Sequence, residues 1–256
     1  MLSNHLRGCL TILPTSFRWI RRVAIATVLV LAVSEVAVRL SGITDFQTYS
    51  VDEQIGYIVN PNQSGKFLHH NRWAFNDRNM ATDSHWNPAL HPNILIIGNS
   101  IVVGGNPQDQ KHKLCPLIQQ GIGPNYSVWP VAVGGWTNLN EIAHLERNPD
   151  VEASANFFVW EYMVSGTSKL APWGGDFVFP RNHPLWTSWY VLRRYVLPRF
   201  IPAPSEMPPV GPSNITVMQT FRNEIKKMSV STGKRIPGLL FLYPNEARPA
   251  CCSGWD

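Results

Sequence analysis

The sequence is short of charge and short of any metal-binding cysteine pattern. Only 15% of its residues are charged, against 44% hydrophobic, which excludes a disordered, self-solvating chain. Its four cysteines, Cys9, Cys115, Cys251 and Cys252, show no CxxC or Cys/His spacing, so no zinc or other metal is expected. The neighbours Cys251 and Cys252 are poorly placed to bond each other, and cysteine usage leaves the redox compartment open. There is no Gly-x-Gly-x-x-Gly, and no glycine-rich loop is followed by Lys-Ser/Thr. No nucleotide or other cofactor is therefore expected. A basic stripe with interleaved aromatics is also missing. The net charge of +5 is partly due to Arg7, Arg18, Arg21 and Arg22 at the N-terminus. The basic balance thus describes a flank, and no nucleic-acid partner is expected.

Directly after those arginines comes a long apolar run. "VAIATVLVLAVS", residues 23–34, carries no charge, and Glu35 and Arg39 stand just beyond it. As a signal peptide the segment has no convincing small-x-small cleavage site. As a spanning helix, residues 20–40 supply the roughly 20 residues a bilayer requires. The arginine flank places the N-terminus in the cytoplasm and the remainder outside, on the positive-inside rule. The expected organisation is a basic cytoplasmic tail over 1–19, a transmembrane anchor over 20–40 and an extracytoplasmic lead-in over 41–92. An α/β domain over 93–256 completes the chain, held at the cytoplasmic (inner) membrane through the anchor.

The lead-in, with its short alternating pieces and Asn/Pro/Gly punctuation, predicts small strands and loops wrapping a core. Its histidines, His69, His70, His85 and His91, read as surface or loop residues. From residue 93 the pattern becomes strand, helix, strand, helix. "ILII" over 94–97 is a continuous apolar strand, the kind buried on both faces of a parallel sheet. A helix is expected over 108–122 with Leu114, Leu117 and Ile118 on one face. A strand over 126–135 ends in glycines. The next helix has Thr137 or Asn138 as N-cap, Glu141 in its first turn, and Leu139, Ile142 and Leu145 at helical spacing. "NFFVWEYMV" is a third strand, "SNITVMQTFRNEIKKMSVSTGK" a helix and "IPGLLFLYP" a fourth strand. This alternation predicts a three-layer parallel sheet flanked by helices, of flavodoxin-like type, after one N-terminal transmembrane helix. Two insertions interrupt it. The aromatic, basic "LWTSWYVLRRYVLPRF" (185–200) suits either a membrane surface or docking through Trp186, Trp189, Tyr190 and Leu192, and docking is the favoured reading. The proline-rich segment after it reads as a linker.

The chemistry concentrates at Gly98-Asn99-Ser100, directly after the first apolar strand. A serine just beyond the carboxyl end of a parallel strand stands where open α/β sheets place their sites. The glycine before it permits a tight turn, and the serine's own N–H is available to an oxyanion. The bland alternative is a turn residue capping the next helix. Val102 breaks the GxSxG elbow of α/β-hydrolases.

Gly98-Asn99-Ser100 resembles the first block of the SGNH hydrolase superfamily, the "GDS" esterases and acyltransferases, with Asn in place of Asp. "VWPVAVGGWTNLNE" resembles the second block, a strand ending in glycine before a helix. On that resemblance Ser100 is the nucleophile and the Gly135 backbone N–H an oxyanion donor. "DEQIGYIVNPNQSGKF" is similar to the extension of membrane-anchored envelope members, and "FFVWEYM" to a strand of alginate-acetylation relatives. The departures are two. The third block should supply an Asn after the third strand, and "EYMVSGTS" has none, with Glu161 read as structural or rim. The final Asp-x-x-His does not occur, so the base is not found, as if the chain were incomplete at its C-terminus. His144, read as exposed, and His183, on a loop, are poor substitutes because a base must reach the serine hydrogen. The resemblance implies a membrane-anchored SGNH-like ester hydrolase or acyltransferase acting on O-acyl groups of envelope or secreted polysaccharide, inactive if the chain is a truncated copy. The alternative is a non-catalytic glycan-binding or scaffolding protein of an envelope assembly, with tryptophans lining a saccharide cleft.

Overall fold

The computed structural model describes residues 15–163, 170–201, 214–228 and 238–243. Helix α1 (Thr15–Leu40) is followed by two antiparallel hairpins, β1 (Tyr49–Asp52) with β2 (Gly56–Val59) and β3 (Gln63–Phe67) with β4 (Asn71–Phe75). Strand β5 (Asn93–Gly98), the one-turn helix α2 (Ser100–Val103), α3 (Leu114–Ile122) and β6 (Ser127–Ala132) come next. After them stand α4 (Asn138–Arg147), α5 (Pro149–Ala153), β7 (Ala155–Met163), α6 (Thr187–Val191), α7 (Asn214–Met228) and β8 (Gly238–Tyr243).

The four long-range strands form one parallel sheet in the order β6-β5-β7-β8. Its interior strand β5 has neighbours on both sides and cover on both faces, which is why its residues are apolar without alternation. Ile96 packs on one face with Val102, Val103, Cys115, Val128 and Ala132. Leu95 and Ile97 pack on the other with Trp129, Trp160, Leu145 and Phe221. Strand β7 alternates as a half-sheet should: Phe158, Trp160 and Tyr162 face α7, where the Phe221 ring lies 4.8 Å from Trp160 and 4.6 Å from Tyr162. The expected parallel sheet with helices on both faces is present.

The lead-in hairpins complete the first face. Tyr49, Ile55, Tyr57, Val59, Phe67, Trp73 and Phe75 are buried in the same cluster as Ile96 and Val128. Polar side chains fasten them to the sheet's own loops. Asp52 accepts the N–H groups of Gln54 (2.9 Å) and Ile55 (3.0 Å) and is paired with Arg147 of α4. Asn140 reaches two segments at once: its amide donates to Ile55 O (2.6 Å) and Ala171 O (3.0 Å), while Oδ1 accepts from Ala171 N (2.8 Å) and Thr137 N (2.9 Å). It is also the N3 partner in the capping box that starts α4, whose N-cap is Thr137, one of the two expected.

Two packing details differ from the sequence reading. The helix over 108–122 is divided: residues 110–112 form a 3₁₀ turn, and α3 begins only at Leu114 with Lys113 as N-cap. Its inner face is then Cys115 and partly buried Ile118, whereas Leu114 and Leu117 are 39% and 47% exposed. The restart rotates the helix, and Cys115 acts as a small apolar residue. In the aromatic insertion Tyr190 is buried as docking requires, but Trp186 and Trp189 remain 71% and 53% exposed. The expected linker over 198–212 begins with a 3₁₀ turn over Leu197–Arg199, and its residues 202–212, the expected helix end over 229–234 and the residues after β8 lie outside the described residues.

Helix α1 is long and apolar enough over Arg18–Leu40 to cross a membrane, and none of that span is buried against the domain. Its length of 23 residues matches a hydrocarbon core of about 30 Å at 1.5 Å per residue.

Because Asn140 satisfies buried backbone groups on three separate segments, Asn140→Ala should lower unfolding stability by roughly 2–4 kcal/mol. Chemical denaturation followed by tryptophan fluorescence checks this; a loss well under 1 kcal/mol would show that the clamp is not needed.

Candidate active site

Strand β5 ends at Gly98, where the chain turns out of the sheet. The Asn99 side chain reaches back to accept the Ile101 N–H at 3.3 Å and so caps the single turn of α2. Asn99 is therefore the cap, and Ser100 is the first helical residue, exposed to solvent. The chain leaves β5 for β6 on one side and then crosses to β7 on the other. The carboxyl ends of β5 and β7 thus flank the point where the direction of winding reverses, the usual place of a crevice in such sheets.

Two loops meet there. A methyl group at Gly134 would lie 3.9 Å from Ser100 Cβ, so the glycine pair after β6 stands beside the serine. Tyr57 of the first hairpin holds that pair in place: its hydroxyl donates to Gly134 O at 2.9 Å. Gly135 has φ of +84°, and a side chain there would meet Tyr57 Oη at 2.7 Å and the Phe179 ring at 3.0 Å. Only glycine fits both conditions. The Tyr57 ring is stacked on Phe179 with centroids 4.2 Å apart, and burial raises its phenol well above the ordinary range. It is a fixed donor there and not a proton carrier. The sequence places Ser100 and Gly135 in these two loops, and the structure brings the loops together.

Glu161, read as structural or rim, is the former. It is only 3% exposed, and its Oε2 accepts the Asn99 backbone N–H at 3.2 Å. Gly98 makes room for it, since a methyl group there would lie 2.6 Å from Glu161 Oε2. Burial raises the carboxyl's pKa, opposed by hydrogen bonding from Asn99. On the opposite face of β7, fully buried Glu141 accepts the Trp160 indole N–H at 2.7 Å. Burial, with a smaller contribution from the Glu161 charge, pushes Glu141 up to about 8. Among the described residues Glu141 Oε1, Glu161 Oε1 and both polar side-chain atoms of Asn138 are buried without a hydrogen-bond partner. Native proteins retain few such atoms, and those they keep cluster where function competes with stability.

The histidines do not join this group. His144 is buried, not exposed: α4 turns it under the Trp136 ring, 5.2 Å away, and burial lowers it to about 4. His183 is tied to Thr44 O at 3.0 Å and rests on Phe46. His85 stands at the far end of the sheet. Its neighbour Trp86 packs on Trp129, whose indole bonds Asn93 at the start of β5, one strand length from Ser100, or about 20 Å. Lys113 is buried with its stem beside Gly104, and burial lowers it to about 8. Among the described residues the Ser100 hydroxyl hydrogen-bonds only Asn99 Oδ1, at 3.4 Å. The "VSGTS" stretch that should carry the third block lies outside the described residues. No group of three His, Cys, Asp or Glu able to hold a metal occurs among the described residues.

No protein-family model matches the chain, and no curated protein matches it. A cavity of about 290 Å³ lies against α6, lined by Phe177, Asn182, Trp186, Trp189, Tyr190 and Arg193.

Glu141 yields a pH signature. Its folded-state value of about 8 lies above its ordinary 4.5. Its stabilising contribution is thus complete below pH 4.5 and is lost as the pH rises to 8. Glu141→Gln keeps an acceptor for Trp160 and removes the titration. The variant should be more stable than the parent at pH 8–9 by on the order of 2 kcal/mol, and unfolding stability should lose most of its slope between the two pH values. Equal slopes in parent and variant would contradict the assignment.

Proposed function

We propose that the chain is a membrane-anchored SGNH-like protein whose reaction is hydrolysis or transfer of O-acyl groups on envelope or secreted polysaccharide. The observation that carries this is the exposed Ser100 hydroxyl at the carboxyl end of the interior parallel strand, with the Gly134-Gly135 loop against it. In the proposed step Ser100 Oγ attacks the ester carbonyl, and its proton passes to a base. The carbonyl oxygen, now negative, takes hydrogen bonds from the backbone N–H groups of Ser100 and Gly135. Collapse of the tetrahedral species expels the sugar hydroxyl and leaves the acyl group on Ser100, for water or a second hydroxyl to remove. The base itself is not among the described residues that touch Ser100.

The anchor fits the same reading. Arg18, Arg21 and Arg22 border one end of the apolar span, which favours a cytoplasmic N-terminus and an extracytoplasmic domain at the inner membrane. A non-catalytic glycan binder is the second reading, favoured by the cavity between Trp186, Trp189 and Tyr190. Indole faces stack well on sugar C–H surfaces.

Covalent labelling separates the two better than turnover does. Incubated with a fluorophosphonate, the protein should acquire a phosphonyl adduct that peptide mass spectrometry maps to Ser100, and Ser100→Ala should abolish it. An adduct unchanged in Ser100→Ala, or none with binding of an acylated oligosaccharide intact, would overturn the esterase reading in favour of the binder.

A further inference from the structure

The aromatic, basic segment over 185–201 is unexplained by the proposed reaction, and it is fastened to the anchor. Glu35, inside α1, accepts Thr187 N at 3.0 Å and Thr187 Oγ1 at 2.9 Å through one oxygen. Its other oxygen accepts Ser188 N at 2.9 Å and Ser188 Oγ at 2.7 Å. Arg39, one turn later, donates to Glu35 at 2.8 Å and also to Leu185 O. Five donors on one carboxylate remove much of the cost of carrying a charge within an apolar span. They also fix α6 at a definite depth. Glu35 lies five residues before the end of α1 at Leu40, which is about 8 Å along the helix axis. In a span of 23 residues that level lies about 5 Å inside the boundary between hydrocarbon and headgroups, within reach of the headgroup region.

The segment that starts at this level presents apolar groups to the outside. Leu185 is 87% exposed, Trp186 71%, Phe200 76% and Ile201 66%, with Trp189 beside them. Arg193 and Arg199 are exposed among them. Tryptophan at the headgroup level, with arginine stems running along it, is the composition of a segment lying in a membrane interface. A soluble partner or a glycan would give no reason for the segment to be bonded to α1 itself.

We infer that residues 185–201 lie on the surface of the bilayer that α1 crosses, with Trp186 and Trp189 among the lipid headgroups. This inference rests on the anchor reading above. The domain is then held at two places, by α1 and by this segment, and its orientation to the membrane is set.

The test uses the full-length protein in lipid nanodiscs containing phosphatidylglycerol and a lipid with a doxyl quencher near the headgroup. Trp19, also exposed on α1, serves as the internal reference for the anchor. The expected result is that Trp186→Phe/Trp189→Phe loses the larger part of the lipid-dependent quenching and Trp19→Phe loses the remainder. Glu35→Ala should reduce quenching of Trp186 and Trp189 and spare that of Trp19. If the double variant is quenched as strongly as the parent while Trp19→Phe loses its share, the inference fails and the anchor stands. If Trp19 is unquenched, or the protein does not enter the discs, the anchor reading fails and this inference with it. Photocrosslinking lipids applied to the unsubstituted protein give a readout independent of any variant's folding. Adducts on peptides covering 185–201 support the inference, and adducts confined to 18–40 overturn it.

Discussion

A single hydrogen bond joins the proposed site to the fold: the Glu161 carboxylate accepting the Asn99 backbone N–H from beneath. The turn after β5 has to reverse the chain within a few residues, and a reversing strand end leaves a backbone donor without a ladder partner. Glu161, on the neighbouring strand, supplies the acceptor. Gly98 supplies the space, because any side chain there would occupy the carboxylate's position. With its N–H held from below, Asn99 turns inward and caps α2, and Ser100 emerges at the surface. A buried carboxyl is an expensive choice for such a task where a neutral acceptor would serve, and it stands at the winding reversal of the sheet.

The second constraint comes from outside the sheet. Hairpin β1–β2 would be an accessory if it only covered apolar surface, but Tyr57 and Asn140 make it part of the site. Tyr57 holds Gly134 O, Trp136 donates its indole N–H to Tyr57 O at 2.9 Å, and Asn140 ties Ile55 to the start of α4. The loop that meets Ser100 is thereby fixed from both ends. Side chains locked by packing and by neighbouring hydrogen bonds are what a site with pre-set geometry requires. Through the turn of hairpin β3–β4, where His69 Nε2 lies 2.7 Å from Leu40 O, and through the segment bonded to Glu35, the domain stays in register with the helix that precedes it.

Much of this was legible in the residues, and the failures have physical causes. The run Ile94-Leu95-Ile96-Ile97 reads as an interior parallel strand because a strand covered on both faces has no reason to alternate. Gly98, Ser100 and the Gly134-Gly135 pair are legible because strand ends at a parallel sheet's carboxyl edge need such residues. The burial of Glu161 and His144 was not. A carboxylate or imidazole is ordinarily exposed, and only tertiary contacts reveal that Gly98 leaves a gap for one and that Trp136 covers the other. Helix α3 was misphased because Lys113, by its type a surface residue, is buried as an N-cap and restarts the helix one turn late. In the 185–200 segment the sequence shows aromatic and basic character, but its bonds to Glu35 span about 150 positions of chain, beyond any local pattern.

The most direct test is the backbone amide of Asn99, followed by NMR through a pH titration of the protein in detergent. If Glu161 holds the turn, the Asn99 N–H resonance will shift with a midpoint above the ordinary glutamate range, and the shift will vanish in Glu161→Gln while the signal stays in its hydrogen-bonded position. An Asn99 amide that does not titrate, or one that titrates identically in Glu161→Gln, would mean that this carboxylate is not what positions Ser100.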